Sequence, residues 1–79
     1  MKEAPHQQLS QRDRAILDFE QSWWESATPR DQAVREHFQL TESEYAEALN
    51  LLITSEAALF AEPLLVRRLR RLRDRRRQE

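Results

Sequence analysis

Neither cysteine nor glycine occurs anywhere in these 79 residues, and proline occurs only three times. Without cysteine there is no disulfide and no thiolate metal site to staple the chain. The same lack fits a cytosolic protein, and a cytoplasmic location is the expectation. Without glycine, tight hairpins, phosphate-cradling loops and most β architecture are disfavoured. Long apolar runs are missing too. Nothing approaches a membrane span, and the first residues, MKEAPHQQLSQ, hold no apolar core of signal-peptide length, so no membrane partner is expected. Catalytic constellations are also absent: there is no Ser-His-acid arrangement, no Gly-rich loop and no His pair at ligand spacing. His6 stands in a polar tail, and His37 lies at the edge of an apolar face, where a lone His packs rather than reacts. Glu42 and Glu44 are two apart on a helix and do not face each other. The expectation is a non-enzymatic protein without cofactor or metal.

What the chain does contain is Leu, Ala, Glu, Arg and Gln, with few Val, Ile and Thr. These are helix formers. The fold class is all-α: a small helical domain of four to five helices with a helix-turn-helix-like core and a basic C-terminal helix. A chain of this size buries roughly 60% of its unfolded surface, so its stability is modest. The net charge of −1 hides an asymmetry. Residues 1–66 carry five basic residues against twelve acids, a balance of −7, while residues 67–79 carry eight arginines against Asp74 and Glu79, a balance of +6. An acidic body with a basic end points to a polyanionic partner or to an end folded back on the body.

Read in order, residues 1–9 form a flexible N-terminal tail, residues 10–72 the helical domain and residues 73–79 an Arg-rich end that frays beyond Leu72. Ser10 with Asp13 is a capping box, and Leu9 outside it staples the entry. Ile16, Phe19, Trp23 and Ala27 then share one face of a first helix running to about Ala27, widened by Leu17 and Trp24. Adjacent tryptophans point about 100° apart on a helix, so Trp23 is expected inside and Trp24 at the edge. There Trp24 serves either as a partner-binding anchor or as a platform for a tail arginine. Ser55 caps a short turn whose Leu59 and Phe60 cover the edge of the core. Pro63 opens the last helix, where Leu65, Leu69 and Leu72 with Val66 make a narrow seam. That seam docks on the body or pairs with a second copy, which leaves the chain a monomer or a weak homodimer.

The centre of the chain is Pro29 to Ile53. Thr28, with Pro29 at the first helical position and Asp31 three residues on, reads as one capped helix start. Val34, His37 and Phe38 give that helix its face. Gln39-Leu40 breaks the period, and Thr41 with Glu44 is a further capping box. Tyr45, Ala48, Leu49, Leu52 and Ile53 are the buried stripe of the next helix. Two capped helices joined by a three-residue turn around Leu40 outline a helix-turn-helix. Counted from Gln39, the motif's apolar positions fall on Val34, Phe38, Leu40, Tyr45 and Ala48, and its small position falls on Arg35. The face expected to meet DNA offers Glu42, Ser43, Glu44, Glu47 and Asn50. Carboxylates there are repelled by phosphates unless they read cytosine amino groups.

The segments ILDFEQSWW, DQAVREHFQLTESEYAEALNLLI and EPLLVRRLRRLR resemble domain-of-unknown-function family 3263, a group of short actinobacterial proteins. The resemblance runs in order from about Leu9 to Arg76. It implies a helix-turn-helix-like fold with no assigned activity. Against that family's pattern, Gln39 stands where glycine is usual in the tight turn. Glu44, Ala46 and Glu47 stand where basic and aromatic residues are usual.

Arg67, Arg68, Arg70, Arg71 and Arg73, continued by Arg75, Arg76 and Arg77, are the strongest functional signal. The planar guanidinium fork suits phosphate, and no lysine interrupts the cluster. The first expectation is therefore a DNA-binding or transcription-associated protein, whose arginines hold phosphates while Asn50 and Ser43 touch bases. The other expectation is a protein-interaction adaptor that presents Glu42, Glu44, Glu47 and Trp24 to a partner, for example transcription machinery.

Overall fold

The computed structural model describes residues 9–77. The flexible tail expected at the N-terminus lies, apart from Leu9, outside them. The described residues form five α-helices and contain no strand: α1 (Gln11–Ser22), α2 (Arg30–Phe38), α3 (Glu42–Thr54), α4 (Glu56–Ala61) and α5 (Pro63–Arg77), with a 3-10 turn at Trp23–Glu25 after α1. The domain is all-α, as its composition indicates.

Local chemistry sets most of the helix ends. At α1 the Asp13 amide donates to Ser10 Oγ at 2.9 Å and the Ser10 amide donates to the Asp13 carboxylate at 3.4 Å. At α3 the Glu44 amide donates to Thr41 Oγ1 at 3.1 Å and the Thr41 amide to Glu44 Oε1 at 2.9 Å. Each box satisfies two backbone donors that a helix start leaves without partners. Ser55 accepts from the Ala58 amide at 3.1 Å and caps α4. Between α2 and α3, Gln39 takes the left-handed conformation (φ 55°, ψ 37°), the one described residue to do so. Its side-chain amide donates to the Glu36 carbonyl at 3.0 Å, which ties the side chain back onto α2.

The end of α1 and the start of α2 differ from the sequence expectation. The first helix does not reach Ala27; it ends at Ser22. Ser22 Oγ donates to the Asp18 carbonyl at 3.2 Å, a back-bond that competes with the helical ladder. The chain then tightens into the 3-10 turn, closed by the Ser26 amide on the Trp23 carbonyl at 3.1 Å, and Ala27 is exposed. Helix α2 begins at Arg30, and the Thr28–Asp31 capping box does not form. Pro29 itself is the cap residue, extended at ψ 147°, and its carbonyl accepts from the Ala33 amide at 2.9 Å. The Thr28 amide bonds Ser26 Oγ at 3.1 Å instead, and the Asp31 carboxylate accepts from the Gln32 amide at 3.0 Å. With Pro29 as the cap and Arg30 as the first helical residue, Thr28 lies one residue outside the cap position, so its hydroxyl does not serve the first-turn amides.

The core gathers Ile16 and Leu17 of α1, Val34 of α2, Tyr45, Leu52 and Ile53 of α3, Ala58 of α4, and Leu65 and Val66 of α5. Leu9 packs on its edge. Helix α5 packs on α3 and α4, so the leucine seam docks on the body. Phe60, expected to cover the core, is 74% exposed. Helix α4 packs against both α3 and α5 and turns its small side chains, Ala57 and Ala58, inward in its place. Helix α5 also continues past Leu72 to Arg77, where fraying from Arg73 was expected. Arginine is a good helix former, and Arg73 reaches back to Thr54 of α3 at 3.5 Å. No helix among the described residues is long and apolar enough to cross a membrane.

Candidate nucleic-acid interface

A buried polar contact joins α1, α2 and α3. Glu20 is four residues on from Ile16 and three from Leu17, which puts it on the apolar face of α1, only 4% exposed. Arg30 grips it with both terminal nitrogens, at 3.3 and 2.7 Å, and the Tyr45 hydroxyl donates to the same carboxylate at 2.6 Å. The Arg30 guanidinium also lies 5.1 Å from the Trp23 ring centroid and 5.6 Å from those of Phe19 and Tyr45. Burial first, then the hydrogen bond and charge of Glu20, raise the Tyr45 phenol well above its ordinary value. No polar side-chain atom among the described buried residues lacks a partner. Sequence reasoning overlooked this contact, although a carboxylate on an apolar stripe was a visible signal for it.

The arginines of α5 fall into two groups. Arg70 Nε donates to the Ile53 carbonyl at 2.6 Å, and Arg73 reaches Thr54 Oγ1 at 3.5 Å and Asp74 at 3.2 Å. A helix C-terminus leaves its last carbonyls without intrahelical partners and attracts cations, so Arg70 caps α3, while Arg73, on the Thr54 hydroxyl, helps fasten α5 to it. Arg67, Arg71 and Arg75, at intervals of four, form a row on the opposite side of α5. All three are exposed, and none has a carboxylate partner among the described residues. Arg68 flanks the row, its guanidinium 5.8 Å from the Trp24 ring centroid. Trp24 is 52% exposed and meets Trp23 edge-to-face at 6.2 Å. Of the two roles expected for Trp24, this geometry provides the arginine platform.

On α3, Ser43 and Asn50 are exposed, as are Glu42 and Glu47. Glu44 is engaged in its own cap. The arginine row is thus separate from the helix expected to enter a groove. Phe19, Phe38, His37 and Tyr45 form an aromatic cluster, with ring centroids 5.5 to 6.1 Å apart, which packs α1, α2 and the start of α3 together. His37 takes part through its ring. No three His, Asp or Glu side chains among the described residues gather in a way that could hold a metal ion.

A family pattern described as "Protein of unknown function (DUF3263)" matches residues 8–79. No curated protein and no solved structure matches the chain.

Proposed function

From a chain that belongs to the DUF3263 family of proteins of unknown function, we propose a small, non-enzymatic DNA-binding protein associated with transcription. The observation that carries this reading is the exposed row Arg67, Arg71 and Arg75 on the outer side of α5, without a carboxylate partner among the described residues, with Arg68 beside it. Successive members of the row rise by about 6 Å along the helix, at 1.5 Å per residue. Their forks face solvent and suit phosphate oxygens, so binding is electrostatic and largely independent of sequence. In this reading α2 and α3 are the helix-turn-helix-like core that sets the protein's orientation on the duplex. Ser43 and Asn50 approach base edges, while Glu42 and Glu47 disfavour close entry of α3 except beside cytosine amino groups. Replacing Arg67, Arg71 and Arg75 together with Gln tests the proposal. Duplex affinity measured by fluorescence anisotropy should fall at least tenfold at low salt, with helicity retained, as about three phosphate contacts are lost. Unchanged affinity would reject it.

A second reading is a protein-interaction adaptor in the cytoplasm. It rests on Leu51, an exposed leucine one turn beyond Glu47 on α3, which gives that helix an acidic and apolar outer stripe. Leu51→Lys should then abolish association with a basic protein surface while leaving DNA affinity unreduced.

A further inference from the structure

The inner side of α5 differs in character from its outer row. Beneath the C-terminal half of the helix, a groove of about 490 Å³ runs between α5, α3 and the Trp23 turn. Its apolar lining is Leu69 and Leu72 from α5, Leu49 and Ile53 from α3, and the Trp23 ring, and Asn50 of α3 and the Glu20–Arg30 pair also reach it. Leu72 is 45% exposed there, so the seam that docks α5 is left open at its far end. The charge along the groove is mostly positive, with Arg30, Arg73 and Arg76 against Glu20. Arg73 and Arg76 stand at its edge, and its one acidic side chain, Glu20, is already held by Arg30 and Tyr45. Arg76 has no carboxylate partner among the described residues.

We propose that this groove is a docking site for an amphipathic acidic helix of a partner protein. Leucine-like side chains of that helix seat on Leu69 and Leu72, and flanking carboxylates meet Arg76. The size falls within the range of ligand clefts, roughly 300 to 1,000 Å³. An apolar trough with a charged edge is the feature that helix-in-groove recognition uses, with apolar anchors for affinity and charges for orientation. The arrangement gives α5 two working sides, since none of Arg67, Arg71 and Arg75 lines the groove. The groove therefore stands independently of the phosphate-binding reading of the outer row.

The test uses the full chain and a fluorescein-labelled helical peptide with Leu at i, i+3, i+4 and i+7 and Glu at the flanking positions. Two matched peptides carry Gln or Lys in place of Glu. The acidic peptide should bind, the Gln version about tenfold more weakly and the Lys version not at all. Leu72→Glu and Arg76→Glu change exposed residues, and circular dichroism checks that each stays folded. Each should weaken the acidic peptide by on the order of tenfold, whereas Arg67→Gln with Arg71→Gln should leave it unchanged. In the Trp24→Phe background Trp23 is the sole tryptophan, and its emission should shift on peptide binding. Equal binding of the Glu and Gln peptides, or no loss in the Leu72 and Arg76 variants, would overturn the proposal. So would occupancy by dodecanoate alone, or a dimer in sedimentation that Leu72→Glu dissolves, because either assigns the groove to a different occupant.

Discussion

The Tyr45 hydroxyl donates to the Glu20 carboxylate across 2.6 Å, between residues twenty-five apart in sequence. Arg30 closes the contact from α2, so one buried carboxylate joins three helices. The fold sustains this because every polar group in the contact finds a partner, and an unpartnered one would cost about 1–3 kcal/mol.

The first consequence is an alkaline limit to stability. In the unfolded chain the phenol releases its proton near pH 10 or so, whereas in the fold burial and Glu20 keep it protonated well beyond that. With the folded value raised, the stabilisation is fully present below the unfolded value and is lost as pH rises above about 10. Tyr45 is the chain's single tyrosine, so phenolate absorbance reports this group alone. It should appear together with loss of helical circular dichroism, and Tyr45→Phe should flatten the stability–pH curve in that range. Phenolate formation with helicity intact would contradict the account.

Removing the positive partner should cost more than removing the phenol. Arg30→Met leaves the Glu20 carboxylate buried without its counter-charge. Arg30 is itself 35% exposed, which places the loss near the lower end for broken buried pairs, about 3 kcal/mol by urea denaturation. Replacing Glu20 and Arg30 by Met and Tyr45 by Phe together should recover most of it, because no charge or polar group is then stranded.

On the proposed DNA-binding reading, the two groups of arginines along α5 separate stability from binding. Arg70→Gln should lower stability by about 1–2 kcal/mol through loss of its charged hydrogen bond to the Ile53 carbonyl. Arg71→Gln, on the exposed row, should leave stability within about 0.5 kcal/mol and weaken DNA binding instead. Thermal melts and anisotropy titrations on the two variants check both halves.

Gln39 offers a stabilising change. Its left-handed backbone favours a residue without Cβ, so Gln39→Gly should stabilise the domain by up to about 1 kcal/mol, offset in part by the lost bond to Glu36. Gln39→Val should destabilise it. Melting temperatures would order the three as Gly, Gln, Val.

Most features built from neighbours in sequence were legible in advance, the Thr28–Asp31 box and the end of α1 at Ser22 being the local exceptions. Ser10 with Asp13, Thr41 with Glu44, Ser55 and Pro63 each mark a helix start through contacts three or four residues away, and each start is where the sequence puts it. The α3 stripe from Tyr45 to Ile53 was readable for the same reason. What escaped depends on partners distant in the chain. Phe60 reads as core by composition, but packing against both α3 and α5 selects Ala57 and Ala58. The arginine cluster reads as a single charged unit until α3's C-terminus engages Arg70 and Arg73 and leaves Arg67, Arg71 and Arg75 outside. Glu20 joins Arg30 and Tyr45 only when three helices meet.

Titrating duplex DNA at a series of salt concentrations tests the proposal that the outer arginine row holds phosphates. Four contacts, from Arg67, Arg68, Arg71 and Arg75, predict that the logarithm of affinity falls with the logarithm of salt at a slope of about −3 to −4, nearly the same for random and genomic fragments. A slope near zero, or no binding at low salt, would contradict it.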